Sequence, residues 1–320
     1  MKAIAKTKQP KPAKDPRRAS PLIKGIRRDR MLILIALPAV LCIFIFSYIP
    51  MGGILYAFQD VSLRKSFWTN EWVGPKWFKQ FFSSIYIGRL IKNTLILNIW
   101  SLIAGTTVEI GLALIFNEVK NGKYKKFTQS CTYYPNFIST TVVVGMMINM
   151  LNPNTGVLSL LFQNVFGMDK VDLFVQPDAF RPMYIISGIW QGAGWGSIIY
   201  LGAINGIDPG LYDAAAIDGA GRLQRIRHVT LPGMKPVIII CLIMHIGGLL
   251  NHGSGKIILM YSSATYETAD VISTFVYRYG LTSANYGYGT AVGLFNSIVS
   301  LILLVTANTV SKKVSEVSMF

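Results

Sequence analysis

Apolar residues in this chain come in long runs without charge, separated by short polar segments. The uncharged windows are Met31–Gln59, Phe127–Met168, Pro182–Ile207, Pro236–Gly255 and Gly280–Ser311, and a sixth, Asn93–Val108, is broken only by Glu109 before continuing to Asn117. A bilayer core about 30 Å thick takes roughly 20 apolar residues as helix, so each window can hold one crossing. Helices are expected because open strands leave backbone groups unsatisfied in lipid. The pattern predicts an all-α membrane protein with six transmembrane helices near residues 31–57, 90–116, 130–151, 183–205, 234–257 and 287–310.

Composition agrees with that reading. Of 320 residues, 52% are hydrophobic and only 14% charged, too apolar and too charge-poor for an ordinary soluble domain. The net charge of +16 would suggest nucleic acid if it were spread over a surface. It is not: 11 of the 31 Lys and Arg lie in residues 1–30, four in Lys120–Lys126, four in Arg222–Lys235, and Lys312 and Lys313 close the set. With six spans these 21 share one face, and the other 10 are spread over three opposite loops. This is the positive-inside asymmetry, which puts both termini in the cytoplasm, explains the charge, and argues against a nucleic-acid partner. Residues 1–30 read as a disordered basic tail near anionic headgroups, and residues 31–320 as the transmembrane domain. The basic region is too long, and the following apolar run too extended, for a cleavable signal peptide, so the first span is expected to remain in the protein. Cys42, Cys131 and Cys241 fall in or at the spans without a Cys-x-x-Cys pair, as lipid-buried thiols would.

The connecting segments differ in character. Residues 58–89 carry Trp68, Trp72, Trp77, Phe78, Phe81 and Phe82, a density suited to a membrane interface. Residues 117–129 read as a short basic turn. Val157–Val165 is apolar but too short to span, which predicts an interfacial helix. Residues 258–286, rich in Thr, Ser, Tyr and Asp, read as a solvated or partner-facing surface.

One polar island stands apart. Asp213-Ala-Ala-Ala-Ile-Asp-Gly-Ala-Gly221 is followed by Val229-Thr-Leu-Pro232, between two membrane-length runs on the basic face. Asp208 and Pro209 offer a helix start. Gly219 and Gly221 would break the helix, Arg222–His228 would resume it, and Pro232 would close the second piece before the fifth span. Small residues let such an element sit close in a groove on another protein. The plainer reading is a turn that only joins two helices. The spacing resembles the coupling motif of ABC-importer permeases, Glu-Ala-Ala-x3-Gly-x9-Ile-x-Leu-Pro. Asp213 stands for the Glu and Val229 for the Ile, while Ala214, Ala215, Gly219, Leu231 and Pro232 match outright. The resemblance makes residues 207–233 the coupling helices, with Asp213, Ala214, Ala215, Asp218, Gly219, Leu231 and Pro232 as ATPase-coupling residues.

Other constellations carry chemistry of their own. Gly253-Ser-Gly-Lys256 looks like part of a phosphate loop, but Leu250 stands where the first glycine is needed and Ile257 where Ser or Thr would hold magnesium. No nucleotide site is expected in this chain. Polar groups inside spans are costly and therefore candidates for function. Glu109, Gln191, His245, Asn251, His252 and Asn296 are such groups, with Tyr133, Tyr134, Trp190 and Trp195 nearby. Rings beside amides and hydroxyls suit a sugar, so Trp190, Gln191, Trp195, Asn251 and His252 are candidates for lining a substrate path. Helix–helix contact and interface anchoring are the structural alternatives. No nucleophile–base set or His-Glu-x-x-His appears in the spans, which argues against an intramembrane enzyme.

Everything after residue 30 resembles the membrane domain of a type I ABC importer of the carbohydrate-permease branch. Asp270-Val-Ile-Ser-Thr-Phe-Val-Tyr-Arg-Tyr-Gly-Leu281 and Tyr286-Gly-Tyr-Gly-Thr-Ala-Val-Gly-Leu-Phe-Asn296 look like polysaccharide-type permeases of Gram-positive bacteria. The resemblance implies a multi-pass protein of the bacterial cell membrane, paired as a heterodimer with a second permease. It also implies two ATP-binding subunits that hold ATP and Mg, and an extracytoplasmic solute-binding protein. This chain itself would bind no cofactor and no metal. The implied cargo is an oligosaccharide of plant or algal origin, uronate-bearing ones included. A secondary transporter or channel subunit for a small polar solute is the alternative; it would need no coupling motif and would more often pair charges within the membrane.

Overall fold

The computed structural model describes residues 29–62, 64–65, 67–167, 169–250 and 253–315. The basic tail up to residue 28 and the candidates Asn251 and His252 lie outside them. The chain forms two compact units, Met1–Ile54 and Leu55–Phe320.

The first unit holds α1 (Arg30–Ile43), a π turn at Phe44–Tyr48 and the beginning of a 3-10 stretch, Ile49–Phe58. Pro50 follows the π turn by two residues, and Pro232 follows another π turn, Ile226–Thr230, in the same way. A proline offers no N–H and crowds the carbonyl four residues back. Widening the preceding turn re-registers that carbonyl, so the helix continues through the proline.

The second unit opens with a small hairpin, β1 (Gln59–Asp60) and β2 (Glu71–Trp72), in antiparallel register with Gln59 opposite Trp72. Then come α2 (Lys76–Phe82), α3 (Ile87–Glu118), α4 (Gly122–Tyr133), α5 (Thr140–Met150), α6 (Val157–Phe166) and α7 (Pro177–Asn205). The polar island contributes α8 (Pro209–Ile217) and α9 (Arg222–Arg225), and α10 (Leu231–Gly248) follows the π turn. Three short helices, α11 (Ser254–Met260), α12 (Tyr266–Ala269) and α13 (Ile272–Phe275), precede α14 (Tyr286–Ser315).

Four helical stretches among the described residues are long and apolar enough to cross a membrane: Arg30–Phe58, Ile87–Glu118, Arg222–Gly248 and Tyr286–Lys313. They correspond to the first, second, fifth and sixth expected spans. The fourth, α7, has 29 residues but carries Gln191 and five glycines. The third departs from expectation. Instead of one helix over 130–151, α4 and α5 are separated by a 3-10 turn at Tyr134–Phe137 that holds Pro135, and Ser139 Oγ caps α5 by accepting from Val142 N at 3.3 Å. The basic segment expected as a turn is also partly helical, because the Asn121 side chain caps α4 by accepting from Lys123 N and Tyr124 N. The fifth expected span stops short, at Gly248.

The buried clusters show how the long helices run. Leu97 of α3 shares a cluster with Phe180 of α7, and farther along Ala113 shares one with Tyr200 and Ile204. Both helices therefore advance in the same direction, and the intervening chain has to return along the full length of α3. Met234 and Cys241 of α10 join Ala113 in the second cluster. Near the start of α3, Leu90 packs with Trp77, Phe81, Phe275, Tyr288 and Val292. The aromatic 58–89 segment is thus divided: Trp77 and Phe81 are core, whereas Trp68, Trp72 and Phe82 are exposed.

Residues 258–286, expected as a solvated or partner-facing surface, are in good part not solvated. Met260, Thr265, Ala269, Asp270, Val271, Ile272, Thr274 and Phe275 are buried. The reason is a polar anchor: Asp270, with 0% exposure, accepts from Arg278 Nη2 at 2.8 Å and Arg89 Nη2 at 3.1 Å, while Thr274 Oγ1 donates to its other oxygen at 3.0 Å. Asn93 Nδ2 donates to the carbonyls of Glu267 and Asp270, which holds the backbone against α3. The polar residues that suggested solvent are partners for one another.

Candidate functional site

The polar island folds as a small two-limbed bracket. Asp208 caps α8, its carboxylate accepting from Gly210 N at 2.9 Å, with Pro209 in the first turn. The helix ends at Gly219, whose φ is +74°. Gly219 N donates to the Ala216 carbonyl and Ala220 N to that of Ala215, at 3.1 and 2.9 Å. This paired closure needs a left-handed residue just past the cap, and glycine takes that conformation at no steric cost. Gly221 N then donates to Gln224 Oε1 at 2.7 Å at the start of α9.

The two limbs are tied together. Tyr212 Oη and Thr230 Oγ1 are 3.0 Å apart, and Thr230 is buried. Ile207 packs where a side chain at residue 233 would otherwise stand. Arg222 Nε lies 4.0 Å from Glu118 Oε2 at the end of α3, an exposed pair of small energetic weight. One expectation is corrected here: Pro232 does not close the second limb. The π turn carries the helix through it, so α9, the turn and α10 form one continuous stretch, Arg222–Gly248.

What the bracket presents outward is the matched motif. Asp213, Ala214, Asp218, Gly219, Leu231 and Pro232 are exposed and Ala215 half-buried. Ile217 and Leu223, at 87% and 82% exposure, add an apolar pair facing away from the bundle.

A second site lies among α3, α7 and α10. Ser101, Gly105 and Glu109 of α3 line two neighbouring cavities. One, of about 160 Å³, adds Asn98, His245 and Leu249. The other, of about 250 Å³, adds Tyr184, Gly188, Gln191, Gly192 and Lys256. Gly196 supplies the space for the Glu109 carboxyl group, which would collide with any β-carbon there. Gln191 lines the larger cavity as expected for a lining residue, and its Nε2 donates to the Ile138 carbonyl at 2.8 Å. Trp190 and Trp195 line neither cavity. Both are about half exposed, and Trp195 meets Phe137 edge-on with ring centres 5.7 Å apart.

Lys256, Tyr184, Asn98 and Ser101 were missed as lining candidates. The fragment Gly253-Ser-Gly-Lys256 drew notice only as a failed phosphate loop. Its first glycine has φ +83°, and a β-carbon there would strike the Tyr184 hydroxyl. That left-handed turn starts α11 and delivers Lys256, 8% exposed, to the cavity. Lys256 Nζ donates to the Tyr184 carbonyl at 3.1 Å and sits 5.0 Å from the centre of its ring.

Comparison with known proteins settles the family. Residues 109–316 match the binding-protein-dependent transport system inner membrane component. This chain is a member of that family. It is 40% identical to protein LplB of Bacillus subtilis (strain 168) over 92% of this chain and 93% of the relative. It is 41% identical to the polygalacturonan/rhamnogalacturonan transport system permease protein YteP of the same organism, over 92% and 91%. Two solved structures share the fold. One is a bacterial ABC transporter involved in the import of the acidic polysaccharide alginate (TM-score 0.84, 42% identity, 92% of this chain and 99% of the other). The second is a bacterial alginate ABC transporter in complex with an alginate pentasaccharide-bound periplasmic protein (TM-score 0.85, 41% identity, 93% and 99%). The chain is therefore a transport permease with an ABC-importer fold, and its apolar helices are those of a multi-pass membrane protein.

Proposed function

We propose that this permease forms the membrane path of an ATP-driven importer for acidic oligosaccharides, and that its bracket, Asp208–Pro232, transmits the work of partner ATPases. The observation that carries the reading is the continuity of the bracket with α10, beside the exposure of the motif residues Asp213, Ala214, Asp218, Gly219, Leu231 and Pro232. A docking element that moves as one body with a helix lining the cavities can turn a nucleotide-driven motion into a change of access. His245 of α10 and Leu249 just past its end line the smaller cavity, so a shift of α10 alters its wall.

Four protein partners follow from this reading: a second permease, two ATPases that hold Mg-ATP, and an extracytoplasmic solute-binding protein. Six spans with both termini in the cytoplasm fit the parallel run of α3 and α7, because residues 119–176 must recross between them. The two helices α4 and α5 would make that third crossing jointly. The charge asymmetry supports the same orientation. Trp190 and Trp195, half-exposed on α7, would face the path shared with the second permease, where a sugar ring can stack. Acidic cargo is suggested by the alginate and polygalacturonan names of the relatives.

Two measurements test this. ATPase subunits should co-purify with the permease in detergent and be lost when the bracket is disrupted. Single cysteines at Lys123 should label from the cytoplasmic face, and at Asp172 and Ser263 from the outer face. Labelling of Lys123 and Asp172 from the same side would remove the third crossing and the reading with it.

A further inference from the structure

We propose that Lys256 is the residue that reads the acid group of the cargo, its ammonium binding one uronate carboxylate at a time as the oligosaccharide crosses. The inference rests on the acidic-oligosaccharide reading above and adds the subsite. Lys256 is 92% buried and lines the 250 Å³ cavity. Its neighbours there are the Tyr184 carbonyl and the face of the Tyr184 ring, which satisfy one N–H and flank the charge without neutralising it. Among the described residues, no carboxylate lies within ion-pairing distance of it. A buried cation with no counter-ion is costly, and one inside a membrane path marks a place where an anion passes.

Glu109, the acid in the same cavity, is not that counter-ion. Its carboxyl group sits at Gly196, whereas the Lys256 ammonium sits at Gly188, 3.5 Å from where a β-carbon would be. Eight residues of helix separate those glycines by about 12 Å. The cavity is thus polarised: a cation at the Gly188 end, a carboxylate at the Gly196 end, and Gln191 between them. Ser101 Oγ also lines it, buried and without a hydrogen-bond partner among the described residues. A uronate residue matches this order, with its carboxylate on Lys256 and its hydroxyls toward Ser101, Gln191 and Glu109. The cavity is small, suited to one sugar unit and not to the whole oligomer. Arg181, about two turns before Gly188 on α7, donates to Asn93 Oδ1 at 2.9 Å and continues the positive character toward the start of α3.

The test uses the complete importer in proteoliposomes with its binding protein, and four probes: alginate pentasaccharide, pentagalacturonate and the carboxyl-reduced form of each. Lys256→Gln keeps a donor for the Tyr184 carbonyl and removes the charge; Lys256→Arg keeps both. The proposal expects Lys256→Gln to raise the half-saturating concentration of an acidic probe about tenfold or more, the worth of a charge-assisted hydrogen bond. Lys256→Arg should restore most of it. Equal loss for acidic and reduced probes would make Lys256 a structural residue and overturn the proposal. Unchanged acidic uptake in Lys256→Gln would overturn it while leaving the proposed function standing. A wild-type importer that takes only the reduced probes overturns both the acidic cargo and the subsite, and one that takes none overturns the proposed function itself. If Lys256→Gln fails to assemble, Lys256→Cys in a background without Cys42, Cys131 and Cys241 replaces it. Recovery after aminoethyl-thiosulfonate treatment, and none after the methyl reagent, supports the charge; equal behaviour with both refutes it.

Discussion

Gly219 and Gly253 are both left-handed glycines at a helix end, with φ of +74° and +83°, yet they do different things. Around Gly219, among the described residues other than its chain neighbours, nothing comes within 4 Å of a β-carbon position, whereas at Gly253 the Tyr184 hydroxyl already fills it. Gly219 satisfies a backbone requirement and leaves open space on the outer face of the bracket. Gly253 satisfies the same requirement and a packing one, because it seats Tyr184 and aims Lys256. One glycine shapes an exposed surface; the other shapes the interior.

The sharpest way to break this contrast is at Gly219. Asn and Asp tolerate the left-handed conformation better than other side chains, so Gly219→Asn and Gly219→Asp should leave insertion and yield unchanged. In the assembled importer, transport and substrate-stimulated ATPase activity should fall at least tenfold, because the added atoms enter the space meant for the partner. Normal coupling in both variants would mean that Gly219 serves only this chain's own turn.

At Gly253 the order reverses. Gly253→Ala should lower the stability of the permease itself by about 2–4 kcal/mol, combining left-handed strain with overlap at Tyr184. The expected sign is a lower melting temperature of the detergent-solubilised complex together with weaker uptake. A melting temperature equal to that of wild type would show that Tyr184 moves aside freely, and the packing half of the contrast would fall.

The same contrast explains what could be read from the chain. The bracket is local: Asp208, Pro209, the alanines and Gly219 set its conformation within a dozen residues, so cap, helix and turn were legible as sequence. Its one misreading, Pro232 as a stop, came from a π turn that proline rules do not announce. The two cavities are assembled from α3, α7, α10 and α11; Ser101 and Lys256 are 155 positions apart, and no spacing rule joins them. Gln191 was found because an amide within an apolar run stands out. Lys256 was not, because it sits just past the run, beside a glycine pattern that suggested a nucleotide. Residues 258–286 were misjudged for a related reason. Asp270 looks solvent-loving alone and becomes core only when Arg89, 181 positions away, reaches it.

The smallest expected effect tests whether the bracket is rigid. Tyr212 and Thr230 make a side-chain tie between its limbs, at 3.0 Å. Tyr212→Phe removes that hydroxyl and leaves the ring in place. Thr230 Oγ1 still reaches the Arg225 carbonyl at 3.4 Å, so no buried group is stranded and the loss should be about 1 kcal/mol. Assembly should be normal. If α8 and the stretch leading into α10 move as one body, loosening their tie should lower transport per ATP hydrolysed while ATP hydrolysis itself stays near wild type. That ratio, measured in proteoliposomes, separates rigidity from docking, because a docking defect lowers both quantities together. An unchanged ratio would assign the rigidity to the backbone closure at Ala215, Ala216 and Gly219 and make the hydroxyl contact incidental.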